Sequence, residues 1–405
     1  MKYIILQGDG MPDHPVDELG GKTPLRVART PNMDFLASHG TMGLVRTIPQ
    51  GLPPGSDVGN LSLLGYDPRK YSTGRSPLEA ASIGVKLSPD DIAFRMNLVT
   101  LLRRNDSYYM DDYSSGHIPT PEAKKLIRTL RRVLEDREFM FYTGLGFRHL
   151  MVWKKGKSGM KTTPPHDIMG KEITVYLPRG EGADALIGIM EASRDILKDN
   201  PINKLRVRRG KKPANSVWLW GQGRPPRMPK FREIYGVKGA VVAAVDIVKG
   251  LGFYAGLSVT NVSGATGYLD TNFYGKARAA LRLLANHDLV YVHVEAPDEA
   301  SHMGSAKAKI KAIEDFDEMV VGTILKGTKK FKDFRILLCS DHPTPLDVRT
   351  HVSEPVPFVI YPPLKEAPPP RRDAKYDEIY AKKAGIFISQ GDRIMGILLG
   401  KIPII

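Results

Sequence analysis

Seven side chains have types and spacings that could hold metal ions beside a nucleophile: Asp9, Ser56, Asp298, His302, Asp341, His342 and His351. In PDEASH (297–302), Asp298 and His302 are four residues apart, so a helical turn would put both on one face. A carboxylate and an imidazole there suit Mn²⁺, Zn²⁺ or a similar ion. Taken alone, such a pair is more often a plain surface contact. In CSDHPTP (339–345), Asp341 and His342 directly follow an apolar run, with His351 ten residues beyond Asp341. Adjacent residues cannot share a face, but they can reach two ions a few ångströms apart. The ordinary alternative is a loop built on Pro and Thr turn chemistry. In LQGDGMPD, Asp9 stands between Gly8 and Gly10, which let a backbone turn sharply and approach a ligand. A plain βα turn would look the same. In GLPPGSDVGN, Ser56 sits where a loop runs into a helix. It is there either as an N-cap or as a nucleophile whose phosphate rests on the helix N-terminus.

The pieces gain meaning together. A serine hydroxyl is too weakly acidic to attack phosphate near neutral pH, and metal coordination lowers its pKa as it does for bound water. A two-metal site takes a mixed set of carboxylates and imidazoles, and these seven side chains supply one.

Such residues, far apart in sequence, must be brought together by the fold. Lys2–Gln7, Asp288–Val294, Phe334–Cys339 and Pro357–Tyr361 read as short apolar strands. Continuous apolar strands predict a sheet covered on both faces. Helical patterns over Gly275–His287, Ala306–Lys326 and Gln390–Leu399 alternate with them, which predicts a mostly parallel α/β sheet. Sites in such sheets form at the carboxyl ends of strands, so Asp9, Asp298 and the Asp341–His342 pair should converge. The middle of the chain differs, with a basic stretch and aromatic patches such as VWLWGQGRPP. It reads as a second domain, 76–235, inserted into a first made of 1–75 and 236–405. A helical pattern over Lys238–Leu251 marks the expected return.

Composition narrows the class. The 405 residues are 42% hydrophobic and 25% charged, ordinary for a globular protein. No apolar run nears the ~20 residues of a spanning helix, and MKYIILQGDG lacks the length and cleavage site of a signal peptide. A cytoplasmic location without membrane attachment is expected. The single cysteine, Cys339, excludes an intramolecular disulfide and any cysteine-rich metal site. The net charge is +15. Basic charge alone could mean nucleic-acid binding, but no recognition motif for nucleic acid accompanies it, and none is expected as a partner. A small anionic substrate accounts for the charge equally well.

The chain resembles the cofactor-independent phosphoglycerate mutases of the alkaline phosphatase superfamily, in their archaeal branch. The resemblance runs through GDGMPD, PPGSDVGNLSLLGYDP, GRSPLEAASIGV, AFRMNLVT, DYSSGHI, SGATGYLDTNFYGKA, VHVEAPDEASHMG, SDHPTP and THVSEPVPF. It implies an alkaline-phosphatase-like, mostly parallel sheet flanked by helices, with a smaller inserted α/β domain. It implies one divalent ion on Asp9, Ser56, Asp341 and His342, and a second on Asp298, His302 and His351. Mn²⁺, Mg²⁺, Co²⁺ and Zn²⁺ all remain open. It implies that Ser56 takes the phosphoryl group of 3-phosphoglycerate and returns it to the 2-hydroxyl, without 2,3-bisphosphoglycerate. The substrate carboxylate and phosphate would need cationic clamps. Arg95, Arg148, Arg224 and Arg227 are the candidates, with His117 and His149 as donors or proton shuttles. A closing insert would keep glycerate from leaving while the serine is phosphorylated. A related metal-dependent phosphatase or another phosphomutase would share the metal site. The sequence is compatible with a homo-oligomer and does not decide the oligomeric state.

Overall fold

A computed structural model describes residues 1–404. Its strands are β1 (Lys2–Gly8), β2 (Thr41–Val45), β3 (Ile92–Arg104), β4 (Ser107–Asp112), β5 (Phe139–Tyr142), β6 (Arg148–Trp153), β7 (Ser216–Gly223), β8 (Gly239–Val242), β9 (Ser258–Thr260), β10 (Leu289–Val294), β11 (Phe334–Cys339), β12 (Val356–Tyr361) and β13 (Phe387–Ile388). The chain divides into two compact units: Met1–Ser72 with Met228 onward, and Thr73–Arg227.

The first unit is a sheet in the order β13-β2-β12-β11-β1-β10-β8-β9. At its centre β1 lies parallel to β10 on one side and β11 on the other. All three are aliphatic runs buried along most of their length, as a sheet covered on both faces demands. Ile4, Leu6, Val290, Val292, Ile336 and Leu338 pack with Phe273, Ala277, Phe316 and Val320 from the helices on one face. On the other face Tyr291 donates to Asn60 of the helix Ser56–Leu63 at 2.7 Å. β8 and β9 extend the parallel arrangement, whereas β12 runs antiparallel to both β11 and β2.

Two local expectations need correction, and one helix carries an unexpected feature. Lys238–Leu251 is not one helix. Gly239–Val242 is a fully buried strand beside β10, and the helix begins at Asp246. Its Val-Val pair is β-branched and fits a buried pleat better than a helix. Ala306–Lys326 is helical but includes a π-helical stretch at Phe316–Val321. The first unit resumes at Met228 rather than 236. There Phe231 N donates to Ala255 O at 2.8 Å and Tyr235 Oη to Gly65 O at 2.9 Å, both within the first unit.

The second unit has an antiparallel sheet built on the long strand β3, which pairs with β4, β6 and β7, while β5 pairs with β6. The helices Thr120–Leu134 and Ala183–Leu197 supply Leu126, Leu130, Leu186 and Met190 to a separate core with Phe94, Met96, Phe141, Met151 and Trp218. Trp153 and Trp220 pack against that same core. In the basic stretch, Arg206 is buried and bonds Glu122 at 2.6 Å, Ser115 O at 2.6 Å and Lys212 O at 2.8 Å. Part of the positive charge is therefore structural. Among the described residues no helix is long and apolar enough to cross a membrane.

Candidate active site

The carboxyl ends of β10, β1 and β11 lie side by side, and each is followed within a few residues by an expected ligand: Asp298, Asp9 and Asp341. The turn after β1 needs glycine at position 10. Gly10 has φ +61°, and a Cβ there would come within 2.6 Å of both Asp298 Oδ1 and Thr344 Oγ1. Ser56 is the first residue of the helix Ser56–Leu63, following Gly55. That helix comes close because residue 59 is glycine, where a Cβ would sit 2.5 Å from Asp341 O. Asp298 and His302 lie on the short helix Ala296–His302.

All seven expected residues meet in the first unit. Ser56 Oγ is 3.3 Å from His342 Nε2, which is 3.5 Å from Asp9 Oδ1 and 3.3 Å from Asp341 Oδ2. Asp298 Oδ2 is 3.0 Å from His302 Nε2, and Asp298 Oδ1 is 3.6 Å from His351 Nε2. The two imidazoles are 3.2 Å apart at their Nε2 atoms. Donor atoms of Asp9, Asp341 and His342 fall within 4.8 Å of one another, and so do those of Asp298, His342 and His351. His342 thus stands at the junction of the two groups.

The electrostatics fit a site for cations. Burial and the neighbouring carboxylates of Asp341, Glu295 and Asp298 push Asp9 well above the usual carboxylate range. Burial, then Asp298, raises Glu295 to about 8. Burial also acts on Asp298, but hydrogen bonds from His302 and His351 outweigh it and hold that carboxyl well below normal. Asp9 Oδ1 is buried with no hydrogen-bond partner among the described residues. His302 turns Nδ1 to Arg349 O at 2.9 Å, leaving Nε2 as the atom facing Asp298. Metal-bound imidazoles are held this way by their outer partners. Crowded acceptors with Nε2 atoms aimed among them are the donor set divalent ions take.

The candidates for substrate recognition lie in the second unit. Arg95, Arg148 and His149 line one cavity with Glu79, Asn97, Tyr113, Phe147, His166 and Trp220. Arg95 is already engaged: Nη2 is 2.8 Å from Glu79 Oε1, and the guanidinium lies 4.4 Å from the Trp220 ring centroid. Arg148 lies over Phe147 at 4.4 Å. Gly144 N–H donates to His149 Nδ1 at 3.0 Å, so the ring proton sits on Nε2. That Nε2 is buried without a partner among the described residues. Burial lowers the His149 pKa to about 3, so the ring is neutral. His117 is exposed, has φ +49° and rests edge-on to Phe147. Arg224 is outside this cavity, with Nη1 3.3 Å from Asp90, and Arg227 is 3.9 Å from the same carboxylate.

Two residues near the candidate ligands escaped the sequence reading. His293 Nε2 is 2.8 Å from Asp9 Oδ2 and 3.4 Å from Glu295 Oε2. Burial holds His293 well below its usual pKa, which keeps it neutral. Asn60 Nδ2 donates to Asp341 Oδ2 at 3.0 Å. The signal for His293 was there: a histidine inside the otherwise apolar strand run LVYVHV has to be spent on a buried partner.

Comparison with known proteins agrees with this geometry. The family model of 2,3-bisphosphoglycerate-independent phosphoglycerate mutase matches residues 37–203. A Methanosarcina barkeri protein of that name is 50% identical over 402 residues, covering 98% of this chain and 99% of its own. A solved Pyrococcus horikoshii structure superposes with a TM-score of 0.83 at 31% identity, covering 99% of this chain and 98% of its own. The cofactor-independent phosphoglycerate mutase of Thermoplasma acidophilum superposes with a TM-score of 0.67 at 28% identity, covering 99% of each chain. The ligand geometry and the full-length relatives lead to one conclusion: the chain belongs to the 2,3-bisphosphoglycerate-independent phosphoglycerate mutases.

Proposed function

We propose that Ser56 carries the phosphoryl group between the 3- and 2-positions of phosphoglycerate, the interconversion used in glycolysis and gluconeogenesis. Ser56 Oγ attacks the phosphorus, the P–O bond to the 3-oxygen breaks, and that oxygen leaves as the hydroxyl of glycerate. Glycerate reorients while bound. Its 2-hydroxyl then attacks the phosphoserine and Ser56 is released. The observation that carries this reading is Ser56 Oγ at 3.3 Å from His342 Nε2, at the head of a helix and within the ligand cluster.

Asp9, Ser56, Asp341 and His342 would hold one divalent ion, and Asp298, His302 and His351 a second. Such ions supply a lowered serine pKa and charge neutralisation for the phosphoryl group. His293 and Asn60 orient the Asp9 and Asp341 carboxylates. We propose the insert's own cavity as an anion-recognition site, where His149 offers a buried Nε2–H and Arg148 a guanidinium suited to bidentate pairing with a carboxylate. Arg95 enters this scheme held by Glu79 and Trp220 rather than as a free clamp.

Ser56→Ala is expected to reduce interconversion to below a few per cent while the protein still folds. A coupled assay for 2-phosphoglycerate, run after chelation and with Mn²⁺, Mg²⁺, Co²⁺ and Zn²⁺ restored singly, tests both parts. Substantial activity in the variant would remove Ser56 from the nucleophile's role. Full activity without any divalent ion would remove the metals.

A further inference from the structure

We infer that Lys309 is a positioning residue that assembles the metal-ligand loops before any ion binds. This rests on the reading of the ligand cluster given above. Lys309 lies on the helix Ala306–Asp315, which follows the helix carrying Asp298 and His302. Its side chain is fully buried, as is that of Asp13. The ammonium has three N–H donors, and it has three acceptors: Asp13 Oδ2 at 2.7 Å, Thr344 O at 3.0 Å and Pro12 O at 3.3 Å.

Each acceptor leads to a ligand. Pro12 and Asp13 end the turn that carries Asp9. Thr344 lies two residues after His342, and its hydroxyl donates to Asp298 Oδ1 at 2.5 Å while lying 3.2 Å from His342 Nδ1. Asp13 Oδ1 also accepts Leu346 N at 3.1 Å, tying the first turn to the third loop. One ammonium therefore joins the loop after β1, the loop after β11 and the helix pair after β10. Those are the three segments that must meet to form the cluster. A charged group buried without metal contact needs such complete satisfaction to be tolerated at all. Here the satisfied bonds fix the ligand-bearing loops in register.

Three variants test this on the whole chain. Lys309→Met alone strands the Asp13 charge and is expected to destabilise the protein. Lys309→Met/Asp13→Asn removes both charges, and Thr344→Val keeps shape while removing the hydroxyl that reaches Asp298. Metal-free protein is titrated with Mn²⁺ by calorimetry, the Co²⁺ form is read by its visible absorption, and thermal melts are recorded for each variant. His342→Ala serves as the control for the ligand cluster itself. The expected result is a Kd for Mn²⁺ raised roughly 10–100-fold in both the double variant and Thr344→Val. Thr344→Val should melt near the wild type, and its Co²⁺ bands should shift. Turnover should recover at high metal. Wild-type Mn²⁺ affinity and Co²⁺ bands in Lys309→Met/Asp13→Asn, with weakened binding in His342→Ala, would overturn the positioning role of Lys309 and leave the metal site standing, whatever Thr344→Val does. Wild-type affinity in His342→Ala would instead overturn the ligand assignment, and the positioning role with it.

Discussion

The residues proposed to hold metal drew notice by type and spacing, each motif weak by itself, because metal chemistry admits few residue kinds and a helix fixes the geometry of an i, i+4 pair. Asp298 and His302 illustrate this: four apart in sequence, and 3.0 Å apart in the structure. The residues that hold such ligands in place were not readable. Asn60 and Thr344 are ordinary polar residues until the fold sets them against Asp341 and Asp298. Arg95 shows a related limit of the sequence. A guanidinium announces a capacity for anions, but only the fold reveals that Glu79 already occupies it. Arg148 is the sharper test of substrate retention. Phosphoserine is partitioned between return of the phosphoryl group to bound glycerate and attack by water. Losing one charge-assisted contact costs about 1.5–3 kcal/mol, and each 1.4 kcal/mol is about tenfold in escape. Arg148→Ala should therefore raise phosphate release relative to 2-phosphoglycerate formation by roughly one to two orders of magnitude. Metal content should not change. Measuring inorganic phosphate beside the mutase product decides the matter, and a parallel fall of both would exclude Arg148 from holding glycerate.

At the scale of elements, the parallel centre of the sheet was legible because a strand covered on both faces reads as an unbroken aliphatic run. The antiparallel course of β12 was not, since strand direction leaves no mark on composition. The strand at Gly239–Val242 was read as helix because a short apolar run fits both periods. Close approach of elements was also hidden, and Gly59 shows how much depends on it. Alanine in a helix interior is favoured over glycine by about 1 kcal/mol. At position 59 the added carbon would lie 2.5 Å from a backbone oxygen that cannot swing away, that of Asp341. Overpacking of this kind costs typically ~1–3 kcal/mol, so the clash should win. Gly59→Ala is expected to lower the melting temperature and to weaken turnover at limiting metal. A variant as stable and active as the parent would mean that the helix Ser56–Leu63 can slide without disturbing Asp341.

For the whole molecule, the sequence disclosed an interruption through its change of composition, but not its edges. Those depend on which contacts Met228–Tyr235 makes, and only the folded chain states them. The segment Thr73–Arg227 has its own sheet, two covering helices and a core that includes Phe94, Phe141 and Met151. Expressed alone, it is expected to unfold in one cooperative thermal transition, followed by circular dichroism. A featureless, gradual melt would mean that this core is insufficient without the rest of the chain.

The distribution of two rare residue types between the units has a practical consequence. The three tryptophans, Trp153, Trp218 and Trp220, all belong to the insert. The lone thiol, Cys339, is completely buried at the end of a central strand in the other unit. Indole emission therefore reports only on the insert. The rate at which a thiol-specific reagent gains access to Cys339 reports only on the unit that carries Ser56. Recorded together during a denaturant titration of the unmodified protein, the two signals separate the opening of one unit from that of the other, without any engineered label.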